Sequence, residues 1–273
     1  MKTQSGISVI LISVGIIAGI SLKIPAKPSS TIKEENISFK VDTLTLKGFV
    51  AYDENIKGKR PAVLVVHEWW GLNDYPKMRA RKLAELGYIA IAVDLFGNGK
   101  IATNPKEAME LTGPFYSNPK LGESRLQAAI DKIKEYPQTD KNNIAAIGYC
   151  FGGAIVLNAA KMGADLKGVV SFHGGLSTAI PVNKNNLKAK ILICYGAADK
   201  FISQKDADAF THQLDSLGVK YTFKSYPNAT HAFTNPAATE NGKKFNMPTE
   251  YNPEADKNSW NDMKMFFDDL FKK

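Results

Sequence analysis

Four residues of this 273-residue chain have the types and the setting to do chemistry together: Glu68, Cys150, Asp199 and His231. Cys150 lies in Gly148-Tyr149-Cys150-Phe151-Gly152, a G-x-C-x-G sequence between an apolar run and a helical one. That is the nucleophile-elbow pattern with a thiol in place of the hydroxyl. Glycines are needed there because so sharp a strand-to-helix turn crowds its own backbone, and the turn leaves the central side chain at an exposed apex. A helix N-terminus behind the sulfur favours thiolate, the reactive form. Taken alone, a cysteine between glycines also suits a tight packing site. The order of its partners favours the nucleophile: Cys150, then Asp199, then His231, each after an expected strand, is the chain order of nucleophile, acid and base on such an elbow. His231 would take the thiol proton and later protonate the leaving group. Asp199 would hold the imidazole in the correct tautomer and stabilise imidazolium. The N–H of Phe151 would be one oxyanion donor, and the loop around Trp69 would supply the second.

The elements that must position these residues are legible from periodicity. Alternating apolar residues at 37–41 and 44–52 predict an N-terminal hairpin. Continuous apolar runs at 62–66, 89–93, 143–147, 166–172 and 191–195 predict strands buried on both faces, with a last strand at 221–226. Helices are expected at 75–86, capped by Asn73 or Asp74 and stopped by Gly87, in two pieces over 104–136, then at 151–162, 204–217 and 255–271. Breaks in the 104–136 segment are expected near Gly113-Pro114 and Asn118-Pro119. Strands alternating with helices imply a mainly parallel sheet covered on both faces, an α/β-hydrolase fold. Chemistry then gathers at the carboxyl ends of the strands, where all four residues stand.

Composition excludes several classes. The net charge of +8 comes mostly from scattered lysines, without the clustering on one face that nucleic-acid binding needs. Two cysteines are too few for a disulfide scaffold, and Cys194, inside an apolar run, reads as a small core residue. Lys2 followed by the apolar stretch 6–22 reads as a signal peptide or an uncleaved membrane anchor covering 1–23. The domain is therefore expected outside the cytoplasm, either secreted, periplasmic or tethered. Residues 24–36, with two prolines and several polar residues, read as a linker, and 37–273 as one domain.

Other polar residues fit less well. Asp94 precedes the nucleophile and reads as a turn residue. His67 also precedes it, His173 reads as a satisfied core histidine, and His212 sits on a polar helix. No spacing motif supports a metal site built from Cys150, Glu68 and His231, and no cofactor motif is present.

The sequence resembles the dienelactone hydrolase family in His67-Glu68-Trp69-Trp70-Gly71-Leu72-Asn73, in the elbow Gly148–Gly153 stretch, in Gly196-Ala197-Ala198-Asp199 and in His231-Ala232-Phe233. The resemblance runs from about residue 37 to the C-terminus. It implies a small ester or lactone as substrate and gives Glu68 a role as a base that contacts the cysteine. It also assigns the second oxyanion donor to the Trp69 N–H. Where well-known members carry a carboxylate-binding arginine, this sequence has Asn235, and Arg125 is the only arginine after Arg81. A neutral amide does not replace a bidentate guanidinium, so the expected substrate is not dienelactone itself. Trp69, Trp70, Tyr149, Phe151 and Phe233 are candidates for an apolar pocket, and each is equally compatible with core packing. A non-catalytic binding protein on the same fold is the alternative. A peptidase is also chemically allowed, though no specificity pocket is readable. Oligomeric state is left open.

Overall fold

The computed structural model describes residues 30–272. Runs of β-branched and small apolar residues such as Arg60–Val66 and Ile89–Val93 are satisfied only as strands covered on both sides. They form the middle of an eight-stranded sheet. In chain order its strands are β1 (Ile32–Val41), β2 (Leu44–Asp53), β3 (Arg60–Val66), β4 (Ile89–Val93), β5 (Thr139–Tyr149), β6 (Gly168–Phe172), β7 (Lys190–Gly196) and β8 (Tyr221–Tyr226). Their spatial order is β1-β2-β4-β3-β5-β6-β7-β8. β2 runs antiparallel to both neighbours, with Ile32 opposite Asp53 and Gly48 opposite Val93. Every other pairing is parallel.

The helices are α1 (Asp74–Glu85), α2 (Pro105–Ser117), α3 (Pro119–Lys134), α4 (Phe151–Met162), α5 (Gln204–Ser216), α6 (Ala238–Phe245) and α7 (Pro253–Leu270). The period-2 alternation of the strands divides the core in two. Leu64 and Val66 of β3 pack with Ile130 of α3, Ile155 of α4 and Phe210 of α5. Val63 and Val65 face the other way, toward Leu83 of α1 and Met263 and Phe267 of α7. Each such fully buried side chain contributes about 2 kcal/mol of transfer free energy. The expected α/β-hydrolase architecture is therefore what the chain adopts. After β3 the chain crosses to β4 on one side, then returns past β3 to β5 on the other. That switch opens a crevice at the carboxyl ends of β3 and β5, where such sheets hold their ligands.

Three expectations are corrected. The linker read over 24–36 ends earlier, because β1 begins at Ile32. Its first residues are polar, yet they pair with β2 out to Asp53, and Glu34 is held by Arg81 and Glu35 by Tyr52 and Tyr136. An edge strand tethered by side-chain hydrogen bonds has no need of an apolar alternation. Second, Gly113-Pro114 does not break α2, which continues to Ser117. The break falls only at Asn118, held extended by the proline that follows it (φ −136°, ψ 87°). Third, α6 lies where no helix is expected: it is short, holds Gly242 and has no side-chain N-cap, so neither periodicity nor capping announces it. The stretch 6–22 read as a signal or anchor lies outside the described residues. No helix among the described residues is long and apolar enough to cross a membrane.

Candidate active site

β5 ends at Tyr149 and α4 begins at Phe151, so Cys150 alone turns the chain. It does so at φ 52° and ψ −114°, a conformation that costs an L-residue on the order of 1–3 kcal/mol. The turn is held from outside. The Cys150 N–H is shared between the Phe172 carbonyl at 3.0 Å and His173 Nδ1 at 3.1 Å. The Gly152 N–H donates to the His67 carbonyl at 3.1 Å. A Cβ on Gly152 would lie 2.4 Å from the Val66 carbonyl oxygen, and one on Gly148 would lie 2.1 Å from the Gly152 oxygen. Both obstacles are backbone and have no rotamer to escape by. Gly152→Ala is therefore expected to destabilise the fold by about 3 kcal/mol or more. Urea unfolding monitored by circular dichroism reads this, and a change within experimental error would refute the close approach.

His231 and Asp199 come from the loops after β8 and β7. Asp199 Oδ1 accepts the N–H groups of Phe201 and Ile202 at 2.8 and 3.0 Å, which fixes the carboxylate. Its Oδ2 lies 2.8 Å from His231 Nδ1, and His231 Nε2 lies 3.0 Å from Cys150 Sγ. The three side chains form one line, Asp199–His231–Cys150, with the histidine between the acid and the sulfur. Burial works against charge on His231, but the Cys150 sulfur and the Asp199 carboxylate outweigh it and raise its pKa well above the usual imidazole value. An imidazolium there donates from both nitrogens, to the carboxylate on one side and to the sulfur on the other.

The structure assigns the remaining polar residues to support. Asp94 accepts N–H groups from Lys47, Gly97 and Gly99, as a turn residue should. His67 takes the Leu95 N–H on Nε2, so Nδ1 carries the proton and donates to the Glu68 carbonyl. Burial lowers its pKa to about 4. His173 accepts the Cys150 N–H on Nδ1 and faces Thr234 Oγ1 through Nε2 at 2.7 Å. Burial, reinforced by nearby His231, holds it neutral, which is the state its acceptor role requires. His212 is exposed on α5.

Glu68 departs from expectation. Its carboxyl does not bond to Cys150; Oε2 accepts from Asn235 Nδ2 at 2.5 Å. Oε1 is buried with no hydrogen-bond partner among the described residues. Burial raises its pKa to about 7, against the opposing pull of Asn235, His231 and Arg79.

A cavity of about 250 Å³ opens over the sulfur. Glu68, Trp69, Trp70, Cys150, Phe151, His231 and Asn235 line it, as expected. Tyr149 and Phe233 do not, and their assignment to the substrate is corrected. Tyr149 is fully buried, stacked on Phe172 at 4.8 Å and crossed by Tyr75 at 5.1 Å. Strand alternation turns it to the α1–α7 side. Phe233 packs between His173 and Tyr226 in the same layer. Sequence reasoning missed Met109, Thr112 and Tyr116 of α2, Phe201 and Ile202 beside Asp199, and Ala238 and Asn241 of α6. The path of α2 and α6 across the crevice brings in the helical residues, and the loop after β7 brings in Phe201 and Ile202. The Phe201 position, two residues past the acid, was the one available signal. Met109, Tyr116 and Phe201 are 59%, 63% and 48% exposed, so the mouth carries an apolar rim. The Phe151 and Trp69 N–H groups have no hydrogen-bond acceptor among the described residues, and both residues border the sulfur's cavity.

Known proteins resemble the chain over most of its length. The dienelactone hydrolase family model matches residues 46–271. A relative from Aquifex aeolicus named carboxymethylenebutenolidase is 29% identical over 204 residues, covering 73% of this chain and 86% of that one. One of the same name from Saccharolobus solfataricus is 28% identical over 270 residues, covering 85% and 97%. The crystal structure of a dienelactone hydrolase-like promiscuous phosphotriesterase from metagenomic libraries superposes with a TM-score of 0.82 at 31% identity, covering 89% of this chain and all of that one.

Proposed function

The chain belongs to the dienelactone hydrolase family and is a carboxylic-ester hydrolase, and on that premise we propose that it cleaves small uncharged esters or lactones through a Cys150 thioester. The observation that carries this reading is the line Asp199 Oδ2–His231 Nδ1, 2.8 Å, and His231 Nε2–Cys150 Sγ, 3.0 Å. The thiolate attacks the carbonyl carbon, and the electron pair of the C=O bond moves to oxygen. The Trp69 and Phe151 N–H groups, free of other acceptors, suit the resulting oxyanion. Collapse breaks the bond to the alkoxy group, which leaves with the proton of His231 Nε2. In a lactone that group stays tethered to the acyl chain. His231, now neutral, takes a proton from water, whose hydroxide attacks the thioester. Sulfur leaves as thiolate, the carboxylic acid departs, and the ion pair is restored.

The character of the pocket supports an uncharged acyl group. Its walls are mostly apolar, and no lysine or arginine lines it among the described residues. A carboxylate-bearing substrate would find no guanidinium or ammonium group there. The reading is tested by mixing the protein with p-nitrophenyl acetate, quenching in acid within one turnover and measuring intact mass. One added acetyl group that maps to the Cys150 peptide is expected. Steady release of nitrophenol with acetyl on no residue, or on another residue, would overturn it. Binding without release would favour the non-catalytic alternative.

A further inference from the structure

Asn235 stands where the family resemblance leads one to expect a cation, and it is not idle. Its Oδ1 accepts the Ala237 N–H at 2.9 Å, and its own backbone N–H and C=O are bonded to Ala232 and Ala238. With the oxygen end committed, the Nδ2 end must face Glu68 Oε2, 2.5 Å away. Both side chains are nearly inaccessible, at 5% and 3% exposure, and both line the cavity with Cys150 and His231. Glu68 Oε1 has no hydrogen-bond partner among the described residues. A buried carboxyl oxygen left unmatched is costly, and a sequence that keeps one on a pocket wall keeps an electrostatic group where substrate must pass.

We infer that Asn235 is a positioning residue that clamps Glu68 on the pocket wall, where the carboxyl acts as a charge gate that admits neutral acyl groups and turns away anionic ones. The inference rests on Cys150 being the nucleophile and deepens that reading by naming a specificity determinant. The groups that act on Glu68 are Asn235 and His231 from the segment after β8, Arg79 and Tyr75 from α1, and Tyr149 from β5. The Asp199 carboxylate and the Cys150 thiolate outnumber the single His231 cation in the line of three. Ionised Glu68 adds a second net negative charge beside the sulfur. With its pKa pushed up to about 7 by burial, the wall is neutral below that pH and anionic above it.

Alkylation of the thiolate reads the gate without using ester turnover. Iodoacetamide and iodoacetate both form an S–C bond and release iodide, and they differ in charge. The rate ratio of iodoacetate to iodoacetamide at Cys150, followed by mass spectrometry from about pH 6 to about pH 9, is expected to fall roughly tenfold as pH rises through about 7. In Glu68→Gln the fall disappears. In Asn235→Leu the fall remains but its midpoint moves up, because a hydrogen bond that favours the carboxylate has been lost. If that variant does not fold, Asn235→Ala is read in the same way. A wild-type ratio that ignores pH, or a fall that survives Glu68→Gln, overturns the gate. A midpoint that stays put in the Asn235 variants overturns the clamp. Alkylation that spares Cys150 sinks the nucleophile itself, and so distinguishes that failure from failure of the gate alone.

Discussion

Cys150→Ala lowers ester kcat/KM by on the order of 10⁴- to 10⁶-fold, the scale seen when a nucleophile that acts in concert with its base is removed. The variant should fold normally. Alanine can occupy the φ 52° position at the same backbone cost as cysteine, and the N–H bonds to Phe172 and His173 do not involve the sulfur. Substrate affinity should change little, because Trp69, Trp70 and the rim residues still form the walls. The histidine, however, should be visibly altered. The sulfur is among the causes that hold the His231 pKa high, so its titration, followed by NMR of the imidazole, should move down. Turnover within tenfold of wild type would remove Cys150 from the reaction.

Asp199→Asn is expected to cost roughly 10⁴-fold in kcat at neutral pH, the cost of presenting histidine in the wrong tautomer. The argument comes from the two oxygens. Oδ1 serves the Phe201 and Ile202 N–H groups, and an asparagine oxygen serves them equally well, so the loop should keep its shape. The amide nitrogen then replaces Oδ2 and points N–H at His231 Nδ1, which must become an acceptor. The ring proton is driven to Nε2, where neutral imidazole cannot accept the proton of thiol or water. Loss of the carboxylate also removes one of the causes that raise the His231 pKa. The imidazolium–thiolate pair is then present only to a lower pH, and iodoacetamide reactivity of Cys150 should fall alongside kcat. A kcat within tenfold of wild type, with unchanged alkylation, would make Asp199 a loop residue only.

Much of this site was readable from residue order. Cys150 and Asp199 announce themselves because each follows a strand whose apolar run is unmistakable, His231 follows the last strand, and the sheet brings the carboxyl ends of β5, β7 and β8 to one edge. The elbow was legible for a similar reason: glycines at 148 and 152 answer to backbone contacts only a couple of ångströms away. What was not legible depended on side-chain direction or on non-local paths. Tyr149 looks like a pocket residue by its neighbour, yet the period of the strand sends its ring to the opposite layer. Asn235 looked like the loss of an arginine; its partnership with Glu68 spans 167 positions and no local pattern encodes it. The α2 and α6 walls of the cavity were invisible because they carry no strand-end signal, and α6 lacks even a helical one.

The register of the edge hairpin has a practical side. Ile32 lies opposite Asp53, at the end of β2 away from Gly48, and Gly48 is paired with the carboxyl end of β4 at Val93. β1 thus begins at the amino ends of the parallel strands, at the edge of the sheet remote from the cavity over Cys150. A bead, chip or fusion partner joined ahead of Ile32 would hold the protein from behind, with its apolar mouth turned outward to the medium.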